Sequence, residues 1–218
     1  MNKEEFKNIL NYGLELNKIK ISISDEKIDL LYKYMKYILE KNKVINLTAI
    51  KDEEEFIYKH YIDSLYIAEH INEGKLIDIG TGGGFPGIPL LIIKDNLSVT
   101  FLDSTNKKLK VIEEFVNVNN IKNAKFIHAR AERLSDEKYI NKFDYVTTRA
   151  VSSIENVINY TLPYLKKNGL GIAMRGNLAE SDIKFLKSNA NVSEVKEYIF
   201  KIYNEENANQ RSIIFLKK

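Results

Sequence analysis

A glycine-rich segment between two apolar runs, residues 76–91, constrains the fold of this chain more than any other feature. Four glycines fall within residues 80–84, directly after Leu-Ile-Asp-Ile, and the sequence continues Phe-Pro-Gly-Ile-Pro-Leu-Leu. Glycine tolerates a positive φ and lets the backbone approach a ligand closely, while Pro86 suits the first turn of a helix. The segment therefore predicts a buried strand, a nucleotide-holding loop and a helix.

Strands and helices alternate from residue 75 onward. The predicted strands lie near 75–79, 99–102, 124–128, 143–148, 169–174, 195–203 and 211–216. The predicted helices lie near 88–94, 106–119, 153–165 and 178–188. This alternation predicts an α/β fold with a mostly parallel, Rossmann-like sheet covered on both faces. The last two strands lack a helix between them, which indicates an antiparallel edge hairpin.

The first third of the chain has a helical pattern instead. Ile28, Leu31 and Met35 recur at helical spacing after Ser24, which suits a helix start. Asp-x-x-Glu at residues 52–55 predicts a capped third helix that runs to Ala68. We therefore expect an N-terminal helical cap over residues 1–73 and a ligand-binding domain over residues 74–218.

The glycine loop by itself leaves two ligands open. Residues 82–87 satisfy the G-x-G-x-x-G pattern of dinucleotide-binding enzymes. Residues 78–84 read Asp-x-Gly-x-Gly-x-Gly, which resembles the first motif of S-adenosylmethionine-dependent methyltransferases. Both classes need an acidic residue at the end of the second strand to bind ribose hydroxyls. Asp103 supplies it and does not discriminate between them.

Residues after the third and fourth predicted strands favour the methyltransferase. Arg130-Ala131-Glu132 follows the third strand, where methyltransferases commonly place the residues that read the adenine, and Arg149 follows the fourth. Open α/β sheets bind ligands at the carboxyl ends of their strands. The candidate cofactor-binding residues are Gly80, Gly82, Gly84, Phe85, Asp103, Ala131, Glu132 and Arg149.

Composition limits the other possibilities. The chain has no cysteine and three histidines that are far apart, so neither a thiolate site nor a metal cluster is expected. A charged N-terminus and short apolar runs predict a cytoplasmic protein without a membrane segment. The net charge of +3 permits RNA binding. No exposed heptad pattern is present, so we expect a monomer.

The absence of several motifs narrows the range of possible methyl acceptors. Methylation of a pyrimidine carbon usually needs a cysteine nucleophile, and this chain has none. Exocyclic-amine methyltransferases carry Asn/Asp-Pro-Pro-aromatic after the fourth strand, where this chain has Thr-Arg-Ala at residues 148–150. No carboxylate cluster for magnesium is evident. A target without a proton to remove, such as guanine N7, fits best.

Several segments together resemble a known family, the GidB/RsmG methyltransferases. They are Asn46–Ile50, His60–Leu65, Gly80–Leu90, Leu102–Ser104 with Lys107-Lys108, and Phe143–Ala150. The resemblance implies transfer of a methyl group from S-adenosylmethionine to guanine N7 in 16S ribosomal RNA of the small (30S) subunit. It also implies cofactor contacts from Gly80, Phe85, Ala131-Glu132 and Arg149. Where the family usually has Lys-Gly after the fifth strand, this chain has Arg175-Gly176.

The roles of the remaining candidates stay open at the level of sequence. Arg149 is the candidate catalytic residue, which orients the guanine or a phosphate, or holds the cofactor carboxylate. His60, Asp63 and Ser64 share one helix face and either line the RNA or cofactor cleft from the helical cap or form a local polar network that fixes the helix against the sheet. Arg175 is a further candidate RNA contact. A small-molecule methyltransferase and a non-catalytic nucleotide-sensing module remain the alternative functions.

Overall fold

The computed structural model describes residues 1–134, 136–150, 153–176, 178–201 and 210–218. The strands are β1 Gly74–Ile79, β2 Leu97–Asp103, β3 Ala124–His128, β4 Phe143–Arg149, β5 Leu165–Arg175, β6 Glu194–Lys201 and β7 Gln210–Lys217. The α-helices are α1 Lys3–Leu16, α2 Asp25–Lys41, α3 Glu53–Phe56, α4 Asp63–Leu65, α5 Gly87–Ile93, α6 Asn106–Val118, α7 Ile154–Thr161 and α8 Glu180–Ser188. Short 3-10 turns lie at Ala68–His70 and Ala131–Arg133.

The strands form one seven-stranded sheet in the order β3-β2-β1-β4-β5-β7-β6. β1 to β5 pair in parallel, whereas β7 runs antiparallel between β5 and β6. This is the sheet of class I S-adenosylmethionine-dependent methyltransferases, and it confirms the predicted fold class. The order reverses at β1, so the carboxyl ends of β1 and β4 form the crevice where such sheets bind ligands.

The N-terminal helices and the sheet share one hydrophobic cluster. Phe6 and Leu10 of α1, and Leu31 and Met35 of α2, belong to the same cluster as Phe101 of β2. A second cluster on the opposite face of the sheet contains α7 and α8 residues. Burial of large apolar side chains contributes on the order of 2 kcal/mol each, so the helical region is fixed to one face of the sheet.

The starts of the first two helices follow from their capping residues. The Asn2 side chain accepts a hydrogen bond from the Glu5 N–H, and the Glu5 carboxylate accepts one from the Asn2 N–H. Ser24 accepts from the Lys27 N–H at the start of α2, as its sequence predicts. These caps satisfy backbone N–H groups that have no partner within the helix.

The predicted third helix is interrupted by a π-helical turn. Asp52 caps α3 by accepting from the Glu55 N–H, as expected, but residues 57–62 form a π-helix before α4 begins. Nearly every side chain from Phe56 to Leu65 is buried, so the segment contacts the protein on all sides instead of along one stripe. The wider turn changes which side chains face the sheet, and π-turns of this kind often occur at functional sites.

Two of the predicted ends that differ from the structure need comment. The helix predicted to reach residue 165 ends at Thr161, with Leu162 as its C-cap in helical backbone, because Pro163 has no N–H to continue the helical hydrogen bonds. The strand predicted over 195–203 is described as far as Lys201, and residues 202 and 203 lie outside the described part of the chain. The remaining predicted strands and helices are present, with ends that differ by a few residues.

Candidate cofactor and substrate sites

The glycine loop follows β1 and has a left-handed backbone at alternate positions. The φ angles are +69° at Gly80, +55° at Gly82 and +84° at Gly84. These are the three glycines of the Asp-x-Gly-x-Gly-x-Gly reading, and an L side chain at any of them would be strained. The backbone therefore supports the methyltransferase reading of the loop over the dinucleotide reading.

A buried carboxylate fixes both ends of this loop. Asp78 accepts hydrogen bonds from the Thr81 hydroxyl at 2.6 Å, the Thr147 hydroxyl at 2.8 Å and the Gly87 N–H at 3.1 Å. Burial raises the pKa of the Asp78 carboxyl, and these donors oppose the rise. Asp78 thus joins the loop to β4 and to the start of α5.

The N-terminal region contacts the loop directly. The Tyr34 hydroxyl on α2 donates a 2.7 Å hydrogen bond to the Gly83 carbonyl, and Tyr34 is fully buried. A Cβ added to Gly84 would lie 2.4 Å from the Tyr34 hydroxyl oxygen. Gly84 therefore lacks a side chain for two reasons, its positive φ and the position of Tyr34.

The first cavity lies beside the glycine loop at the carboxyl ends of β1, β2, β3 and β4. Its volume is about 280 Å³. The residues that line it are Ile79, Gly80, Leu102, Asp103, Ser104, Ala129, Arg130, Ala131, Glu132, Arg149, Ala150 and Tyr160. Five predicted cofactor-binding residues are therefore brought together here, namely Gly80, Asp103, Ala131, Glu132 and Arg149.

Two acidic side chains line this cavity in different ways. Asp103 is buried and accepts from the Gly82 N–H at 2.9 Å and the Thr105 N–H at 2.8 Å. Each of its oxygens has a further lone pair for a ligand hydroxyl. Glu132 is exposed in a short turn, which the Tyr164 hydroxyl fixes by donating to the Ala131 carbonyl at 2.6 Å. One acid is thus part of the protein framework, whereas the other is open to solvent.

Arg149 ends β4 and lines two cavities. Its Nη2 donates to Nδ1 of His60 at 2.7 Å, and its Nη1 lies 3.5 Å from Oδ2 of Asp63. The guanidinium carbon lies 5.7 Å from the centre of the Phe85 ring. Nη1 is buried without a hydrogen-bond partner among the described residues, so it is free to donate to a ligand.

His60 is held as a neutral ring. Arginine can only donate, so Nδ1 of His60 accepts from Arg149, and Nε2 carries the proton toward the Thr48 hydroxyl at 2.8 Å. Burial, and then the positive charge of Arg149, lower the pKa of His60 well below its usual value. His60 also stacks on Phe85 with 4.3 Å between ring centres. The histidine therefore orients the arginine and carries no charge of its own.

Other predicted site residues lie beneath the surface of the site. Phe85 is 5% exposed, and its ring packs among Tyr34, Phe56 and Tyr61 in the core. Gly82 donates a hydrogen bond from its backbone N–H to the Asp103 carboxylate. Ser64 is fully buried, and its hydroxyl has no hydrogen-bond partner within the part of the chain that the structure describes. His60 thus belongs to a polar network with Thr48 and Arg149, and the Ser64 hydroxyl is not part of it.

A second cavity of about 180 Å³ adjoins the first. It is lined by Asp63, Arg149, Ala150, Met174, Arg175, Gly176 and Arg211. Arg149 and Ala150 line both cavities and form the wall between them. Asp63 and Arg175, two of the predicted substrate residues, therefore lie on the far side of Arg149 from the glycine loop.

Several lining residues were not among the predicted site residues. Tyr160 reaches the first cavity from α7, and Ser104 reaches it from the turn after β2. Arg211 at the start of β7 reaches the second cavity. The position of Ser104, next to Asp103, was a usable signal. No local pattern marks Tyr160 or Arg211, because only the tertiary fold brings α7 and β7 to this edge.

The described residues contain no group of three or more histidine, cysteine, aspartate or glutamate side chains that could hold a metal ion. Among the helices in the described ranges, none has both the length and the apolar character that crossing a membrane requires.

Comparison with known proteins identifies relatives along most of the chain. A relative from Clostridium novyi (strain NT), named ribosomal RNA small subunit methyltransferase G, is 35% identical over 224 residues, covering 100% of this chain and 91% of the relative. A protein of the same name from Acetivibrio thermocellus is 42% identical over 163 residues, covering 73% of this chain and 67% of that protein.

Solved structures share the fold at low sequence identity. The structure of M. jannaschii TYW2 in complex with AdoMet aligns with a TM-score of 0.58 and 18% identity, over 72% of this chain and 74% of that chain. The tRNA (m1A58) methyltransferase TrmI from Aquifex aeolicus aligns with a TM-score of 0.53 and 18% identity, over 72% of this chain and 68% of that chain.

The family model described as GidB, rRNA small subunit methyltransferase G, matches residues 27–214. That range includes the glycine loop, the Arg149 network and both cavities. With the relatives above, the match shows that this chain belongs to the GidB family of small-subunit ribosomal RNA methyltransferases.

Proposed function

We propose that this protein transfers the methyl group of S-adenosylmethionine to N7 of a guanine in 16S ribosomal RNA. The observation that carries the proposal is the position of Arg149 between two cavities, one of which adjoins the glycine loop. A methyltransferase must hold its donor and its acceptor side by side. The two adjacent cavities supply one compartment for each.

The first cavity has the groups that S-adenosylmethionine requires. The left-handed Gly80 has nothing within 4 Å of the position of a Cβ, so the loop leaves open space for the methionine portion. The Asp103 carboxylate has acceptor capacity for ribose hydroxyls. We assign the Ala131 backbone and Glu132, which line the same cavity, to the adenine. Nη1 of Arg149 is buried and has no hydrogen-bond partner among the described residues, although it lies 3.5 Å from Asp63, and we assign it as a donor for the cofactor carboxylate.

The reaction needs no proton transfer from the protein. When bound, S-adenosylmethionine supplies an electrophilic methyl group on a sulfonium. The N7 lone pair forms the new bond to carbon, and the electron pair of the broken bond remains on sulfur as a neutral thioether. The positive charge moves to the guanine ring. Arg149 holds the reactants in alignment, and proximity accounts for most of the rate.

The same proposal includes the arrangement and setting of the protein. Residues 1–73 serve as a helical cap that positions the loop through Tyr34, and residues 74–218 carry the cofactor and substrate sites. The proposed substrate places the protein in the cytoplasm, with the 30S subunit or its precursor as its partner. We propose that it acts as a monomer.

Labelled S-adenosylmethionine and small subunits that lack the modification test the proposal. The purified protein is incubated with both, and chemical cleavage selective for N7-methylguanine locates the label. We expect one labelled guanine in 16S RNA. Label on RNA at another atom would overturn the N7 assignment, and tight cofactor binding without RNA labelling would favour a small-molecule enzyme or a sensing module.

Two variants complete this test. Gly82→Asp places a side chain at a left-handed position and a second carboxylate near Asp103, so labelling is expected to be lost. Glu194→Gln alters an exposed ion pair with Lys217 on the β6–β7 hairpin, far from the cavities, and should label at the wild-type rate. Circular dichroism of both variants verifies that they are folded.

A further inference from the structure

We propose that the second cavity receives the target guanine and that the Asp63 carboxylate reads its N1–H and 2-amino group. This inference rests on the proposed function and goes beyond it, because it assigns the group that distinguishes guanine from other bases. Three observations carry it: the lack of a short hydrogen bond to Asp63 from any described residue, the charges around it, and the wall shared with the first cavity.

Asp63 is a buried carboxylate with unused hydrogen-bonding capacity. The residue is 6% exposed and lines the second cavity. Within the described ranges its single ion pair is the one with Nη1 of Arg149, at 3.5 Å, which is too long for a charge-assisted hydrogen bond. A buried carboxylate without donors is costly, and native proteins rarely leave one unless a ligand supplies them.

Asp63 differs in its hydrogen bonding from two other buried carboxylates, Asp78 and Asp103. Asp78 accepts from three donors, and Asp103 accepts from two backbone N–H groups. Burial raises the pKa of Asp63, while the positive charges of Arg149 and Arg211 act in the opposite direction. The two arginines thus favour the ionised form without providing short hydrogen bonds to it.

The chemistry of guanine complements this arrangement. A flipped-out base is read along its Watson–Crick edge, and guanine presents two adjacent donors there, N1–H and the 2-amino group. An ionised carboxylate accepts both at once. Adenine presents an unprotonated ring nitrogen at the corresponding position and would be repelled. Methylation at N7 makes the guanine ring cationic, so a fixed negative charge beside it also stabilises the developing charge.

The position of the cavity suits in-line transfer. Arg149 and Ala150 separate the second cavity from the first, so a base held there lies beside the donor compartment. Arg175 donates from Nη1 to the Ser153 carbonyl at 3.2 Å, and Arg211 lines the same cavity from β7. These guanidinium groups suit the phosphates that flank the target nucleotide. Asp63 would therefore provide base selectivity, and Arg211 affinity that is independent of the base.

The test compares guanine with inosine at the mapped target position, in subunits reconstituted with 16S RNA that carries either base. Inosine lacks the 2-amino group but keeps N7 and N1–H. We expect the wild-type kcat/KM to be about 10- to 100-fold higher for guanine, as for loss of one hydrogen bond to a charged group. With Asp63→Asn the guanine rate should fall and the guanine-to-inosine ratio should drop below about threefold.

Two further measurements separate base reading from a structural role. S-adenosylmethionine affinity of Asp63→Asn should stay within about twofold of wild type, since the carboxylate is assigned to the other cavity. Arg211→Gln should weaken binding of both substrates equally and reduce the salt dependence of binding by about one phosphate contact. If Asp63→Asn does not fold, Asp63→Glu replaces it, because the longer side chain keeps the charge but displaces the carboxylate.

The possible results distinguish base reading by Asp63 from a purely structural role and from failure of the proposed function. A wild-type ratio near one, or a high ratio that persists in the Asp63 variant, would overturn the assignment of Asp63. A variant that loses cofactor affinity but keeps the wild-type ratio would show that Asp63 only positions Arg149. Absence of methylation on guanine-containing subunits by the wild type would instead refute the proposed function itself.

Discussion

The two cavities meet at Arg149 but are built in different ways. The first is formed by the glycine loop and the turns after β2, β3 and β4, with Tyr160 of α7 added. Its buried carboxylate, Asp103, already has two backbone donors. The second is formed by residues from α4, β4, β5 and β7, which lie as far apart in sequence as Asp63 and Arg211. Its carboxylate is not hydrogen-bonded within the described residues.

This difference indicates two separate tasks. The first cavity is preorganised by short-range contacts, which suits a small cofactor that must bind in one orientation. The second contains the Asp63 carboxylate, which has no short hydrogen bond from any described residue, and this suits a ligand that supplies the missing donors. The predictions below test this contrast, from the largest expected effect to the smallest.

The largest effect should come from the glycine that contacts the N-terminal region. Gly84→Ala adds a Cβ 2.4 Å from the Tyr34 hydroxyl oxygen at a φ of +84°. We expect a loss of roughly 3 kcal/mol in the free energy of unfolding, from the combined clash and backbone strain. Urea denaturation measures this loss.

Gly80→Ala is the matched control for that substitution. Its φ is also positive, but nothing lies within 4 Å of the added Cβ. It should cost only about 1 kcal/mol in stability, from strain alone, while the methyl group enters the first cavity and weakens cofactor binding. Equal stability losses in the two variants would contradict the contact between Tyr34 and the loop.

Removal of the carboxylate at the base of the loop should have the next largest effect. Asp78→Asn replaces one carboxylate oxygen by an NH2 group that cannot accept, so either the Thr147 hydroxyl or both the Thr81 hydroxyl and the Gly87 N–H lose their acceptor. The free energy of unfolding should fall by about 2 kcal/mol. Cofactor affinity measured by calorimetry should fall as well. Asp95→Asn, which removes an exposed ion pair with Lys27, should change stability by less than about 0.5 kcal/mol.

Two arginine variants compare the catalytic importance of Arg149, which separates the two cavities, with that of Arg175, which lines only the second. Arg149→Lys keeps the charge but loses the planar group that joins His60 to Asp63, so kcat/KM should fall at least about 30-fold. Arg175→Lys loses one hydrogen bond to the Ser153 carbonyl and should cost less than about threefold. Steady-state methylation of subunits measures both. A reversed order would contradict the central position of Arg149.

The smallest predicted effect is a pH dependence of the free energy of unfolding that comes from His60, the partner of Arg149. The pKa of His60 is lowered by folding, so below about pH 6.5 the unfolded chain binds a proton that the folded chain does not. Stability should therefore fall with decreasing pH by about 1 kcal/mol between pH 6.5 and pH 5.5 from this residue. Urea denaturation at both values, with wild type and His60→Gln, isolates the contribution. An identical pH dependence in the two proteins would exclude it.

The sequence predicted the fold better than the details of the helices. The strand-loop-helix pattern around residues 76–91 and the alternation after residue 75 gave the sheet, its direction and its antiparallel end. The π-helical turn at Ile57–Ile62 was not predicted, since its side chains are buried on all sides and no periodic pattern marks it. Pro163 was a usable signal for the early end of α7.

The positions of the candidate site residues were likewise predicted only in part from the sequence. Gly80, Asp103, Ala131-Glu132 and Arg149 follow strand ends, so the parallel sheet brings them to one edge, as the sequence predicted. Phe85 was expected to pack on the cofactor, but its ring lies in the aromatic core beside His60. A glycine-loop aromatic residue has the same sequence signal in either position, and only the packing of α2 and the π-helical turn decides between them.

The sequence by itself determined the sheet, the left-handed loop and the row of polar residues at its carboxyl edge, because these depend on local backbone chemistry and on strand direction. Tertiary structure alone decided which charges are satisfied. It gave donors to Asp78 and Asp103, made His60 neutral beneath Arg149, and placed Arg149 and Arg211 near Asp63 without short hydrogen bonds. Burial and charge environment are properties of distant segments in contact, which no local sequence pattern records.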